Sequence, residues 1–151
     1  MGEIITYGKG YSLTPGIKVF IKSAIQTGNK VTIIGSQLGA DVLRYAEDNN
    51  VTVYNSEILS KKYNVNDNIS PYTLKVIYFF LYCKYISKTH EVYLCDFTDV
   101  YFQKNVFELI KNNNPYVTSE NKIINSCQTN LHGLTFVIIK IFLTLLVNMK
   151  Y

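Results

Sequence analysis

At 151 residues with 48% hydrophobic side chains, the chain suits one globular domain with a real core. Its net charge of +4 is spread along the sequence, which suits an anionic small ligand and gives no case for nucleic-acid binding. Cys83, Cys95 and Cys127 are odd in number and form no CxxC pair, which excludes a disulfide framework and a cysteine zinc site.

Charged residues make up only 17%, and Arg44 is the one arginine beside 14 lysines. The Asn, Ile, Lys and Tyr bias looks like the coding bias of an AT-rich genome and carries little function. Met1-Gly2-Glu3-Ile4-Ile5 has neither a basic n-region nor an apolar h-region with a cleavage site. No signal peptide is expected, and the expected compartment is the reducing cytoplasm.

In chain order, Glu3 to Tyr7 reads as a first strand, broken by a loop at Gly8-Lys9-Gly10-Tyr11-Ser12. Pro15-Gly16 opens a helix with Ile17, Phe20, Ile21, Ala24 and Ile25 on one face and Lys18 and Lys22 on the other. Gly28-Asn29 ends it. Val31 to Ile34 is a β-branched buried strand. Asp41 to Asp48 is a second helix, with Val42, Leu43, Tyr45 and Ala46 as its packed side. Val51 to Tyr54 is the third strand. The Asn-rich stretch 55–70 reads as a loop with at most one helical turn. Ser70 then caps a third helix with Pro71 at its first position, running through Leu74, Ile77, Tyr78, Leu81, Tyr82 and Tyr85. Glu91 to Cys95 is the fourth strand, and Asn105 to Lys111 a short helix that Asn112 to Pro115 ends. Strands alternating with helices predict βαβ units, an α/β fold and a mostly parallel sheet flanked by helices.

The last apolar run, Leu134 to Val147, has no amphipathic period. It falls short of the about 20 residues of a membrane span and is broken by Lys140. Three readings stay open, in falling order: a buried terminal helix or strand, a truncated or frame-shifted end, and a tail anchor. Membrane contact by this tail is therefore not expected.

The fourth strand ends in Asp96-Phe97-Thr98-Asp99-Val100-Tyr101-Phe102-Gln103. A buried strand cannot carry two charges into the core, so both carboxylates belong at its mouth. Ligands bind at the carboxyl ends of strands in such sheets, and hard divalent cations take carboxylate and phosphate oxygens. The competing reading is a hydrogen-bonded loop at Asp96 and a turn or cap at Asp99. The loop after the first strand lacks the third glycine of a dinucleotide fingerprint, since Leu13 stands there, and no acid ends the second strand. It reads as a tight turn, or as a flexible loop in which Tyr7 or Tyr11 stacks on a base and Lys9 faces phosphate. There is no P-loop and no GxSxG elbow. His90 fits an exposed loop, and His132 matches no motif.

The segment Asp96 to Phe107 resembles the metal-binding segment of GT-A nucleotide-sugar glycosyltransferases. It is most similar to a group in which an apolar strand runs into Asp-x-x-Asp-Val-x-Phe-Gln. Tyr7-Gly8-Lys9-Gly10-Tyr11, the helical Phe20-Ile21-Lys22-Ser23 and Ile69-Ser70-Pro71-Tyr72-Thr73-Leu74-Lys75 agree with that group in order. The resemblance covers about residues 3–127 and is specific only around the acids. It implies a Rossmann-like GT-A domain over 1–130, which leaves 131–151 as an apolar C-terminal tail, with truncated or aberrant among its three open readings. It implies manganese or magnesium held by Asp96 and Asp99 against the diphosphate of a nucleoside-diphosphate sugar. Tyr7, Lys9, Tyr11, Lys75, Phe97 and Thr98 would line the donor, with Lys75 pairing a carboxylate or phosphate. Phe102 and Phe107 would pack. The acceptor, a glycan or a protein, is not specified, and no catalytic base is assigned. Asn105-Val106 replaces the group's Asp-Pro, though Asn105 can still cap the short helix. The acceptor half that normally follows is not recognisable, so the resemblance implies a donor-binding half. Its rivals are an inactive remnant that binds nucleotide or a partner, and a phosphohydrolase using Asp-x-x-Asp.

Overall fold

The computed structural model describes residues 2–89 and 91–109. Four strands, β1 (Glu3–Lys9), β2 (Lys30–Ser36), β3 (Thr52–Asn55) and β4 (Val92–Cys95), form one sheet in the order β3-β2-β1-β4. Every pairing is parallel: Ile4 faces Val31 on β2 and Tyr93 on β4, and Ile33 faces Val53 on β3. The helices are α1 (Pro15–Gln26), α2 (Ala40–Asp48), α3 (Ser56–Tyr63), α4 (Pro71–Tyr85) and α5 (Val106–Leu109). This is an α/β fold with Rossmann-like topology.

Alternation along the strands sorts the core into two faces. Ile4, Val31, Ile33 and Cys95 pack with Ile17, Phe20, Ile21 and Ala24 of α1 and Val42 and Ala46 of α2. The residues between them turn the other way. Tyr7 stacks on Tyr78 of α4 at 5.4 Å, and Tyr82 of α4 meets Tyr54 of β3 edge-on at 5.5 Å. The central strands are covered on both sides, which is why they read as near-continuous β-branched runs.

Local chemistry starts and stops the helices. Thr14 Oγ1 accepts from the Ile17 N–H at 3.3 Å, and Pro15 stands in the first turn of α1. Gly28, at φ +73°, turns the chain into β2. Where a loop was expected, α3 forms a full helix. Asn55 caps it through a bond from the Glu57 N–H at 2.9 Å, and Asn64 ends it in the left-handed region. Three further expectations change. The first strand extends through Gly8 to Lys9, because parallel pairing with β2 continues to Ser36. Leu43 is exposed, because Val42 and Ala46, four apart, define the buried stripe of α2. Ser70 stands at the start of α4 but makes no side-chain cap bond.

The amino-terminal end of the sheet holds a buried polar cluster. The fully buried carboxylate of Glu3 accepts from Thr32 at 2.6 Å, Tyr82 at 2.9 Å, Ser87 at 2.6 Å and Thr89 at 3.0 Å, and pairs with Lys30 at 2.8 Å. Burial pushes its pKa up, but Lys30 and the Ser87, Thr32 and Tyr82 hydroxyls more than reverse this, to about 2.

No helix among the described residues is long and apolar enough to cross a membrane. His90, Cys127, His132, the segment 110–115, the apolar run and the boundary at 130/131 lie outside the described residues.

Candidate functional site

The chain runs outward from β1 to β2 and β3, then returns to place β4 on the other side of β1. The order therefore reverses between β1 and β4. Open α/β sheets bind ligands at such a switch point. Thr6 is paired with Cys95, so Asp96-Phe97-Thr98-Asp99 leaves the sheet beside Tyr7-Gly8-Lys9, which stays paired with β2.

The strand's alternation carries on past its last residue. Cys95 points to the α1 face, so Asp96 turns towards α4 and Phe97 back towards α1. Asp96 there pairs with the ammonium of Lys75, on the second turn of α4. Asp96 is 60% exposed and Lys75 only 14%, so the carboxylate faces water while the lysine is held against the protein. Tyr72, one turn before Lys75, places its ring 5.9 Å from the same ammonium.

Phe97 is buried, edge-on to Phe20 at 5.6 Å and to Tyr11 at 5.7 Å. Gly8 makes room for it, since a Cβ there would come within 2.9 Å of the Phe97 ring. The Thr98 carbonyl oxygen lies against the first turn of α1, 3.0 Å from where a Gly16 Cβ would sit. Beyond the exposed Asp99 and Tyr101 the chain is anchored again. Phe102 is buried against Phe20 and Tyr93, and its N–H donates to Ser23 Oγ of α1 at 3.2 Å. Asn105 Oδ1 caps α5 by accepting from the Phe107 N–H at 3.1 Å, as expected, and also accepts from Asn29 Nδ2 at 2.7 Å. The acids thus sit on a short loop tied down at Phe97 and Phe102.

The loop 10–14 follows β1 and is tied to the end of β2, the segment after it and the start of α2. Gly10 N–H donates to Ser36 O at 3.1 Å, Gly39 N–H to Tyr11 O at 2.8 Å, and Leu13 N–H to Asp41 Oδ2 at 2.9 Å. The bond from Leu13 holds the Asp41 carboxyl below its usual range. On the α4 side, Tyr78 donates to Asp67 Oδ1 at 2.6 Å. Burial, and then Asp67, pushes the Tyr78 phenol to about 12 and raises that of Tyr7, so both rings stay neutral. Cys95, directly before the acids, is also raised to about 12 by burial and is no nucleophile at neutral pH.

Of the residues singled out in the sequence, Lys9, Tyr11, Asp96, Thr98 and Asp99 lie on the segments at the carboxyl ends of β1 and β4, and the contacts seen there are Lys75 of α4 with Asp96 and Tyr11 with Phe97. Tyr7 and Phe97 sit inside: their rings are covered by Tyr78 and by Phe20 and Tyr11, so they build the walls rather than open stacking platforms. Phe102 packs as expected, and Phe107 packs against the same core. The anchoring of the acidic loop by Ser23, and of Asn105 by Asn29, was not anticipated from the sequence. Ser23 carried a signal, a hydroxyl on the apolar stripe of α1 that has to find a buried partner.

Asp96 and Asp99 offer hard oxygen ligands of the kind magnesium and manganese take. Among the described residues no group of three or more His, Cys, Asp or Glu is placed to hold a metal ion. Two carboxylates do not make a closed protein cage for such a cation. Comparison with family models, with curated proteins and with solved structures returns no match to this chain.

Proposed function

We propose that the chain is a GT-A-type glycosyltransferase, or its donor-binding half, which binds a nucleoside-diphosphate sugar with manganese or magnesium. The observation that supports the reading is the Asp96–Lys75 pair at the carboxyl end of β4, beside β1, where the strand order reverses. Asp96 and Asp99 hold the cation, and Lys9 and Lys75 supply positive charge for the diphosphate. Tyr11, 37% exposed and braced edge-on by Phe97, is the ring best placed to lie against the base. Thr98 offers backbone and hydroxyl contacts between the two acids. Bound there, the cation neutralises charge developing on the diphosphate as the sugar leaves for its acceptor.

Metal-dependent binding is the direct test. With manganese present, UDP or GDP should raise the melting temperature by about a few degrees at saturation. Asp99→Ala should abolish that shift while leaving the unliganded melting temperature in place, because Asp99 is exposed. If neither nucleotide shifts wild type with manganese or magnesium present, the donor site is not there. Transfer of a labelled sugar to any acceptor would establish the enzyme over an inactive remnant.

A further inference from the structure

We infer that Lys75 is a positioning residue that makes cation and diphosphate binding depend on each other, by exchanging Asp96 for phosphate. The inference rests on the donor-site reading above and goes beyond it by assigning how the two ligands are coupled.

The Lys75 ammonium is spent on Asp96, one of the site's two carboxylates. A cation arriving alone meets a carboxylate already neutralised, with a positive charge beside it. Only Asp99 is left to it, and the described residues provide no third acidic, histidine or cysteine ligand. A diphosphate arriving alone meets two carboxylates, and the lysine that could hold it is engaged. When both arrive, Asp96 turns its oxygen to the cation and Lys75 turns from Asp96 to the phosphate oxygens. Asp96 and Asp99 then face the cation, and Lys75 faces the phosphate oxygens. The burial pattern suits this exchange. Asp96 faces water and can change partner without being desolvated, while packing along α4 holds the lysine stem in place. Each ligand thus removes the obstacle to the other, which is positive coupling, and linkage makes it reciprocal.

Manganese binding to the full chain, followed by the electron-paramagnetic-resonance signal of the free ion with and without UDP or GDP, tests this. In wild type, saturating nucleotide should tighten manganese binding about tenfold or more, and manganese should tighten nucleotide binding by the same factor. Lys75→Met should bind manganese alone about threefold more tightly, bind nucleotide more weakly, and lose most of the coupling. A merely structural lysine would weaken both ligands together. Lys9→Met controls for general charge: it should weaken nucleotide binding but leave the coupling factor within about twofold of wild type. Lys75→Gln replaces Lys75→Met if circular dichroism shows that the latter loses the fold. Independent binding of the two ligands to wild type overturns the exchange while leaving the donor site standing. So does wild-type coupling in the Lys75 variant, or equal loss of coupling in Lys9→Met. Failure of both nucleotides to bind wild type with manganese present removes the donor site and the exchange together.

Discussion

Two lysine–carboxylate pairs lie at opposite ends of the sheet, and their burial is inverted. At the amino-terminal end Glu3 is fully buried and Lys30 is 43% exposed; at the carboxyl end Asp96 is 60% exposed and Lys75 14%. Glu3 also accepts four hydroxyl hydrogen bonds, so both its oxygens are satisfied and its charge is locked in place. Asp96 instead pairs with Lys75. The same pair of charged groups is thus a fixed joint at one end and an exchangeable contact at the other. The difference lies in how many partners each carboxylate has and how much water reaches it.

The comparison breaks most visibly at Glu3. Glu3→Ala leaves Lys30 and four hydroxyls without their acceptor and should cost about 3–5 kcal/mol in urea unfolding. Acid should separate the two ends next. The Glu3 pKa is depressed in the folded state, so its contribution is fully present above the ordinary value of 4.5. Lowering the pH from there to about 2 removes it, a loss of about 3 kcal/mol that a Glu3→Gln variant should not show. A smaller effect is expected at the anchor of the acidic loop. Ser23→Ala leaves the buried Phe102 N–H unpaired and should cost about 1–3 kcal/mol, with nucleotide affinity falling as the loop loosens. The smallest belongs to Asp96 itself: Asp96→Ala should change stability by about 0.5 kcal/mol or less, because the carboxylate it removes is mostly in water. A loss as large as that of Glu3→Ala would show that the two pairs are alike after all.

The elements legible in advance were those whose signal is local. The apolar spacing of α1, with Thr14 and Pro15 at its start, needs no partner to be read. The helix α3 was not legible because it buries little more than Leu59 and Ser56, so its apolar period is faint beside its charged residues. Its markers were the caps, Asn55 before Glu57 and Asn64 after Tyr63, which are weak against an Asn-rich background. Tyr7 and Phe97 read as candidate ligand contacts because a sequence shows that a ring is near a loop but not which face is covered. Glu3 read only as the first residue of a strand; its five partners come from β2, α4 and the segment that follows α4.

The sequence alone determined the alternation of strands and helices and the ending of an apolar strand in two acids, because periodicity and the cost of burying charge act within a few residues. That this strand lies at the sheet edge among the described residues and is half-exposed was decided by the fold. Tertiary structure decided the rest. The return of β4 to the far side of β1 brought Asp96 beside the carboxyl end of β1, though almost ninety residues separate them along the chain. Packing of α4 on that face gave Asp96 to Lys75, while the cluster beneath β1 gave Glu3 to Lys30. Which lysine meets which carboxylate, and which member of each pair water reaches, depends on contacts between distant segments that no local pattern encodes.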